Sequence, residues 1–292
     1  MTKLTIEPIK PHIGGIVHVD RAHICDADVV AACRDALEDR GVLVFPRAHL
    51  SNDEQLAFTD AFGQRVKFTG TVPGGEGGDD GELYKITLDE EFNSEPDYVL
   101  GTFFWHMDGV TIDQPLPKAT MLSARALSPT GGQTEFASTF AAYDHLAADM
   151  KQEIGELKVI HRMIASMRPL YVEMPEERYQ RYTSMATEMV HPLVWTQTDG
   201  RKSLVLGTHA DEVMGMTVTN GRSLLARLTE WSAQPAFTYS HEWQEGDFVV
   251  WNNCGVMHRV VPYESNCGRM MHRTTIMGSE RLGVPLKQLE SV

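Results

Sequence analysis

What the chain has little of narrows its reading first. Its 292 residues include four cysteines, Cys25, Cys33, Cys254 and Cys267, with no Cys-x-x-Cys spacing among them, so a disulfide framework is excluded. Reduced thiols in a reducing compartment are the simplest account, and a cytoplasmic location is expected. Basic residues are scarce, 26 against 40 acidic, for a net charge of −14, and no Lys/Arg run occurs. That balance argues against a nucleic-acid partner and against an anionic membrane surface. No window approaches about 18 uninterrupted apolar residues, and Met1 to Gly15 has no basic stretch leading into an apolar one. A soluble protein without a secretory signal is expected. The 42% hydrophobic content is enough for a substantial core.

Local patterns then order the chain. Leu4 to Val19 alternates apolar pieces with Pro and Gly, as edge strands and turns do. Asp26 to Arg40 reads as a helix with Val29, Val30, Cys33, Ala36 and Leu37 on one stripe and Gly41 as its stop. Val42 to Phe45 reads as a buried strand, and Ser51 with Glu54 has capping-box spacing for a second helix ending at Gly63. Further strands are expected at Tyr84 to Leu88, Thr120 to Leu127, Phe237 to Tyr239, Phe248 to Trp251 and Arg273 to Met277. A hairpin is expected around Asp199 and Gly200, and helices at Phe140 to Leu157 and Arg222 to Trp231. Between residues 73 and 97 the composition turns to glycine and acid, which predicts either a solvated loop or a mobile lid over a pocket. No repeat or linker divides the chain. One domain over residues 1–292 is expected, mainly β with added helices (α+β), on a double-stranded β-helix or jelly-roll core.

The chemistry concentrates in a few histidines and arginines. In Phe103-Phe104-Trp105-His106-Met107-Asp108 the aromatic run favours a strand, on which His106 and Asp108 share a face and could ligate one ion. Met107 would then face away, into the core. His258, 150 residues beyond Asp108, follows an apolar strand and a glycine turn, which is how a barrel returns a side chain to its mouth. Two imidazoles and one carboxylate close one face of an octahedron and leave three positions for a cosubstrate and oxygen. Taken alone, His-x-Asp is weak in a chain with twelve histidines. Its company strengthens it: Thr134 lies on one side, and Arg269 and Arg273 follow the distal histidine. A 2-oxo acid chelating a metal needs a planar, permanent cation for its far carboxylate, which Arg supplies and Lys does not. Arg269 is assigned to that carboxylate with Thr134 assisting. Arg273, an even number of residues further on, is assigned to an anionic group of the primary substrate.

Two other classes share parts of this equipment. A zinc hydrolase also uses His and Asp ligands, but there is no His-Glu-x-x-His and the arginines would lack a role. A non-catalytic jelly-roll module of the cupin type would bind a metal or small acid without oxygen chemistry. Cys254 and His258 could suggest a structural zinc site, but no second Cys/His pair completes it, and Cys254 is read as a buried turn thiol.

Several motifs in order resemble the taurine and 2,4-dichlorophenoxyacetate dioxygenase family of iron(II), 2-oxoglutarate enzymes. They are Trp105-His106-Met107-Asp108, Gly131-Gly132-Gln133-Thr134, Val250-Trp251-Asn252-Asn253, His258-Arg259 and Arg269 to Arg273 with Thr274, Thr275 and Gly278. Gly14-Gly15-Ile16, Gly41 to Phe45, Phe58 to Gly63 and His191 to Val194 extend the match over nearly the whole chain. The resemblance implies a jelly roll, Fe(II) on His106, Asp108 and His258, 2-oxoglutarate held by Thr134 and Arg269, and Arg273 toward the substrate. It implies oxidation, mostly hydroxylation, of a C–H bond in a small organic acid such as a carboxylate or sulfonate, with O2 consumed and succinate and CO2 released. A homo-oligomer would be ordinary for the family. Two departures stand out: Asn252 and Cys254 replace the frequent Asp and Arg of the turn before the distal histidine, and residues 74 to 81 have no clear counterpart.

Overall fold

The computed structural model describes residues 4–67, 83–93 and 95–289, which form four β-sheets and nine α-helices. The glycine-rich part of the expected lid lies outside the described residues.

The largest sheet owes its position to one strand that is buried on both faces. Val42–Phe45 is apolar at every position, and all four residues are buried. Val42 and Val44 face one side while Leu43 and Phe45 face the other, as the two-residue period of a strand demands. In the seven-stranded sheet the order is Thr5–Pro8, Gly15–His18, Val42–Phe45, Phe248–Asn252, Ala119–Ala126, Met270–Ile276, Tyr84–Ile86, and only the second and third strands pair in parallel. On one face, helices Ala27–Arg40 and Asn52–Phe62 bring Val29, Cys33, Leu37, Phe58 and Phe62 onto Phe45, Phe248 and Met121. Gly41, at φ 71, ends the first helix, and the reciprocal Ser51–Glu54 bonds start the second, as expected.

The other face is what builds the site. Val249, Trp251, Leu122 and Met271 pack there against Phe136 and Val256 of a three-stranded sheet, ordered Thr238–His241, Thr134–Ser138, Val256–Val260. The chain passes from the first sheet to the second through the turn at residues 253–255, where a Cβ on Gly255 would meet the Phe140 ring at 1.9 Å. Ala137 and Met257, pointing the opposite way, join a further core with Phe140, Leu193, Leu204 and Leu224. Helix Val218–Ser232 covers this outer core, and the hairpin Val194–Thr196/Lys202–Leu204 contributes to it.

Two expectations need correction. Phe140 to Leu157 is not one helix but two, Thr139–Asp144 and Ala148–Ile154. The break falls at His145, whose ring packs on His12 and Phe237 at 4.6 and 5.3 Å, so tertiary contacts override the helical period. Phe103 to Asp108 is not a strand either. Gly101–Phe103 is a 3-10 turn, and only His106 forms a bridge, to His258. The Trp105 carbonyl instead accepts from Thr208, so no second ladder partner is available.

Burial pushes the thiols of Cys33 and Cys254 up to about 12, while Cys25 is exposed. At pH 8 iodoacetamide is expected to label Cys25 in the folded protein and to reach Cys33 and Cys254 only after denaturation, as read by peptide mass spectrometry. Labelling of Cys254 in the native state would contradict the packing of the turn before His258.

Candidate active site

The backbones of His106 and His258 exchange two hydrogen bonds, His106 N to His258 O at 3.0 Å and His258 N to His106 O at 2.9 Å. This single bridge sets the imidazoles 4.1 Å apart, centroid to centroid. Asp108 follows two residues later in a turn continued by Gly109 at φ 82. One ligand atom from each of His106, Asp108 and His258 lies within 4.8 Å of the others, and all three residues are buried. The two-residue spacing therefore works here through a bridge and a turn rather than through a strand. Met107 is 1% exposed and packs in the outer core, facing away as expected.

Two of the three candidate ligands, His106 and Asp108, are oriented by a second contact. His106 Nδ1 donates to the Phe104 carbonyl at 2.9 Å, which leaves the Nε2 lone pair for a metal. Burial holds both imidazoles below their ordinary pKa, so both are in the neutral form that coordination needs. Burial pushes the Asp108 carboxyl up, but Arg273 and the two imidazoles beside it outweigh that and hold it well below the usual carboxylate range. Its Oδ2 accepts from Thr120 Oγ1 at 2.8 Å and lies 2.9 Å from Arg273 Nη2. Thr120 in turn accepts from Asn253 Nδ2 at 2.9 Å. The altered turn before His258 is thereby explained: Asn252 caps it, accepting from Cys254 N and donating to Glu38, while Asn253 reaches the carboxylate through Thr120.

Arg269 and Arg273 do not line one pocket. Arg269 precedes the strand Met270–Ile276, and a register shift at Met270/Met271 breaks the even spacing on which a shared face was predicted. Arg273 lines a cavity of about 110 Å³ beside Asp108, walled by Thr102, Ile112, Met163, Met167 and Met185. Arg269 is 2% exposed in a neighbouring recess under Gly131 and Gly132, with its guanidinium 4.7 Å from the Tyr263 ring and donating to the Gly132 carbonyl at 3.2 Å. Among the described residues no carboxylate lies within ion-pair distance of it. A buried cation without an anion is costly, so this recess is suited to a carboxylate from outside the chain. Thr134, 1% exposed, lies at the start of the adjoining strand.

Three residues of the site escaped the sequence. Thr120 and Trp243 carry no local motif, and their hydrogen bonds to Asp108 and Thr134 join residues that are not sequence neighbours. His209 lines the cavity beside Asp108, its ring 6.4 Å from that of His106, with a buried Nδ1 that has no hydrogen-bond partner among the described residues and a pKa pushed down to about 3 by burial. The only signal for it was one more histidine among twelve.

A buried two-histidine, one-carboxylate cluster near a buried arginine is a candidate site for a mononuclear metal with a diacid cosubstrate. The chain belongs to the taurine catabolism dioxygenase TauD, TfdA family, whose model matches residues 5–275. It is 33% identical over 251 residues to an alpha-ketoglutarate-dependent 2,4-dichlorophenoxyacetate dioxygenase of Burkholderia sp. (strain RASC), covering 83% of each chain. Over 289 residues it is 28% identical to an alpha-ketoglutarate-dependent sulfate ester dioxygenase of Pseudomonas putida, covering 97% of this chain and 92% of the other. A crystal structure of AAD-2 in complex with Mn(II) and N-oxalylglycine superposes with a TM-score of 0.78 at 32% identity, over 96% of this chain and 99% of that one. The protein is an iron(II)- and 2-oxoglutarate-dependent dioxygenase. Among the described residues no helix is long and apolar enough to cross a membrane.

Thr120→Val keeps the shape of the side chain but removes the hydrogen bond that fixes the Asp108 carboxylate. Divalent-metal affinity, measured by Mn(II) titration calorimetry, is expected to fall about tenfold to a hundredfold, with the fold retained by circular dichroism and the melting temperature lowered because Asn253 Nδ2 loses its acceptor. Unaltered affinity would show that Thr120 does not orient the carboxylate.

Proposed function

We propose that His106, Asp108 and His258 hold Fe(II), that Arg269 and Thr134 bind the distal carboxylate of 2-oxoglutarate, and that Arg273 receives an anionic group of a small organic substrate. The observation that carries this reading is the buried cluster of three ligand atoms within 4.8 Å. Arg269, buried in its own recess with no carboxylate at ion-pair distance among the described residues, supports the cosubstrate assignment. When bound, iron and 2-oxoglutarate supply the oxidation of a C–H bond, with O2 consumed and succinate and CO2 released.

The protein contributes position and exclusion of water. Neutral His106 and His258 and ionised Asp108 would hold the metal, whose chemistry would act on cosubstrate and oxygen. Arg273, 2.9 Å from Asp108, would seat a substrate anion one guanidinium away from the metal, and the methionine wall would hold the apolar remainder of the molecule in a dry pocket. His209, neutral and facing the same cavity, is suited to hydrogen-bond that substrate. The relatives named for 2,4-dichlorophenoxyacetate and sulfate esters favour an anion with an apolar body. Two sheets packed face to face, bridged by the turn at 253–255, support a jelly-roll core, and the family match from residue 5 to 275 supports one catalytic domain over 1–292. A cytoplasmic enzyme fits the reduced thiols. Of the segment read as a lid, Tyr84–Ile86 pairs with Met270–Ile276 at the edge of the large sheet and Pro96 opens a helix, while its glycine-rich part lies outside the described residues.

The test is substrate-stimulated succinate formation under Fe(II) and ascorbate, across aryloxyalkanoates, alkyl sulfates and sulfonates. At least one class is expected to stimulate turnover. Asp108→Ala is expected to abolish it with the fold retained by circular dichroism. Turnover that persists in that variant, or no 2-oxoglutarate consumption with any anion, would overturn the proposal. With an active substrate in hand, Arg273→Ala is expected to raise its KM by about tenfold or more, the loss of one charge-assisted contact. An unchanged KM would remove Arg273 from substrate recognition.

A further inference from the structure

We infer that Trp243 is a positioning residue for 2-oxoglutarate, acting through the hydroxyl of Thr134. This rests on the assignment of Thr134 and Arg269 to the cosubstrate carboxylate. The indole Nε1–H of Trp243 lies 3.0 Å from Thr134 Oγ1. An indole nitrogen can only donate, whereas a hydroxyl can donate or accept. The direction of this bond is therefore fixed: Thr134 accepts. With one lone pair taken by an obligate donor, the hydroxyl's own hydrogen is turned away from Trp243 and is available to an acceptor. Trp243 also lines the recess that holds Arg269, so indole and guanidinium bound the same small space.

The indole is itself held. Its ring stands edge-on to His241, centroids 4.5 Å apart at 84°. His241 is anchored at both nitrogens, Nδ1 to Tyr239 Oη at 2.8 Å and Nε2 to Asp247 Oδ2 at 3.1 Å. Asp247 accepts from the backbone of Gln244 and Arg47, each at 2.8 Å, which closes the turn directly after Trp243. Asp247, His241, Trp243 and Thr134 thus form one chain of contacts from a buried turn to the cosubstrate recess. A hydroxyl already oriented loses less on binding than one that must choose among rotamers, so the arrangement raises cosubstrate affinity by pre-organisation.

The experiment measures the affinity of 2-oxoglutarate for the Mn(II)-loaded protein by calorimetry, which needs no turnover. Trp243→Phe keeps a ring but removes the donor, and is expected to weaken binding about tenfold. Thr134→Val is expected to cost a similar factor, and the double variant no more than either alone, because both remove one interaction. Thr134→Ser, which keeps the hydroxyl, should bind nearly as wild type. In the iron enzyme the Trp243→Phe effect should fall on the KM for 2-oxoglutarate rather than on kcat. Additive losses in the double variant, or undiminished affinity in Trp243→Phe while Arg269→Leu abolishes binding, would overturn the inference and leave the cosubstrate assignment standing. Undiminished affinity in both Arg269→Leu and Thr134→Val would overturn the assignment itself. Should Trp243→Phe fail to fold, Thr134→Ser binding as weakly as Thr134→Val would overturn the inference, since the hydroxyl would then contribute nothing.

Discussion

The pair of backbone hydrogen bonds between His106 and His258 is the constraint on which the proposed active site depends. Metal ligands drawn from distant segments must be brought within a few ångströms before any ion binds, and side chains alone are too flexible to do that at tolerable entropy. Here the backbone does it. The strand carrying His258 is clamped between the core of the sheet interface and the outer core, with Val256 facing one and Met257 the other. The bridge then transfers that rigidity to a segment that has no ladder of its own.

The electrostatics follow from burial around that bridge. An isolated carboxylate at 9% exposure would be driven toward its neutral form, but Arg273, Thr120 and two imidazoles converge on Asp108 and keep it ionised. The histidines move the other way, to neutrality, because burial outweighs the pull of Asp108 on a cationic ring. The same burial thus yields a charged carboxylate and two uncharged imidazoles. Arg269, in its separate recess, is the complementary case: a buried cation with no carboxylate within ion-pair distance among the described residues.

Much of the fold was legible because its signals are local. The capping box at Ser51 and Glu54, the glycine stop at Gly41, the Gly200 hairpin and the apolar run at Val42 to Phe45 each specify their element within a few residues. Where tertiary contacts decide, the sequence misled. His145 breaks a helix for the sake of His12 and Phe237, and the aromatic run before His106 has strand propensity but meets its neighbouring strand, Val256–Val260, through a single bridge at His106. The proposed metal ligands and arginines stood out by residue type and company, and the structure brings the three ligands together while setting the two arginines in separate recesses. Thr120, His209 and Trp243 did not stand out, because a lone threonine, histidine or tryptophan gains meaning only from what folding places against it.

The central claim is that one divalent ion sits between His106, Asp108 and His258 with 2-oxoglutarate reaching to Arg269. A crystal structure of the protein with Mn(II) and 2-oxoglutarate, phased to show manganese anomalous scattering, tests it directly. One anomalous peak within bonding distance of all three side chains, and a distal carboxylate on the Arg269 guanidinium, is the result expected. A peak elsewhere, or a diacid lying away from Arg269, would contradict the account.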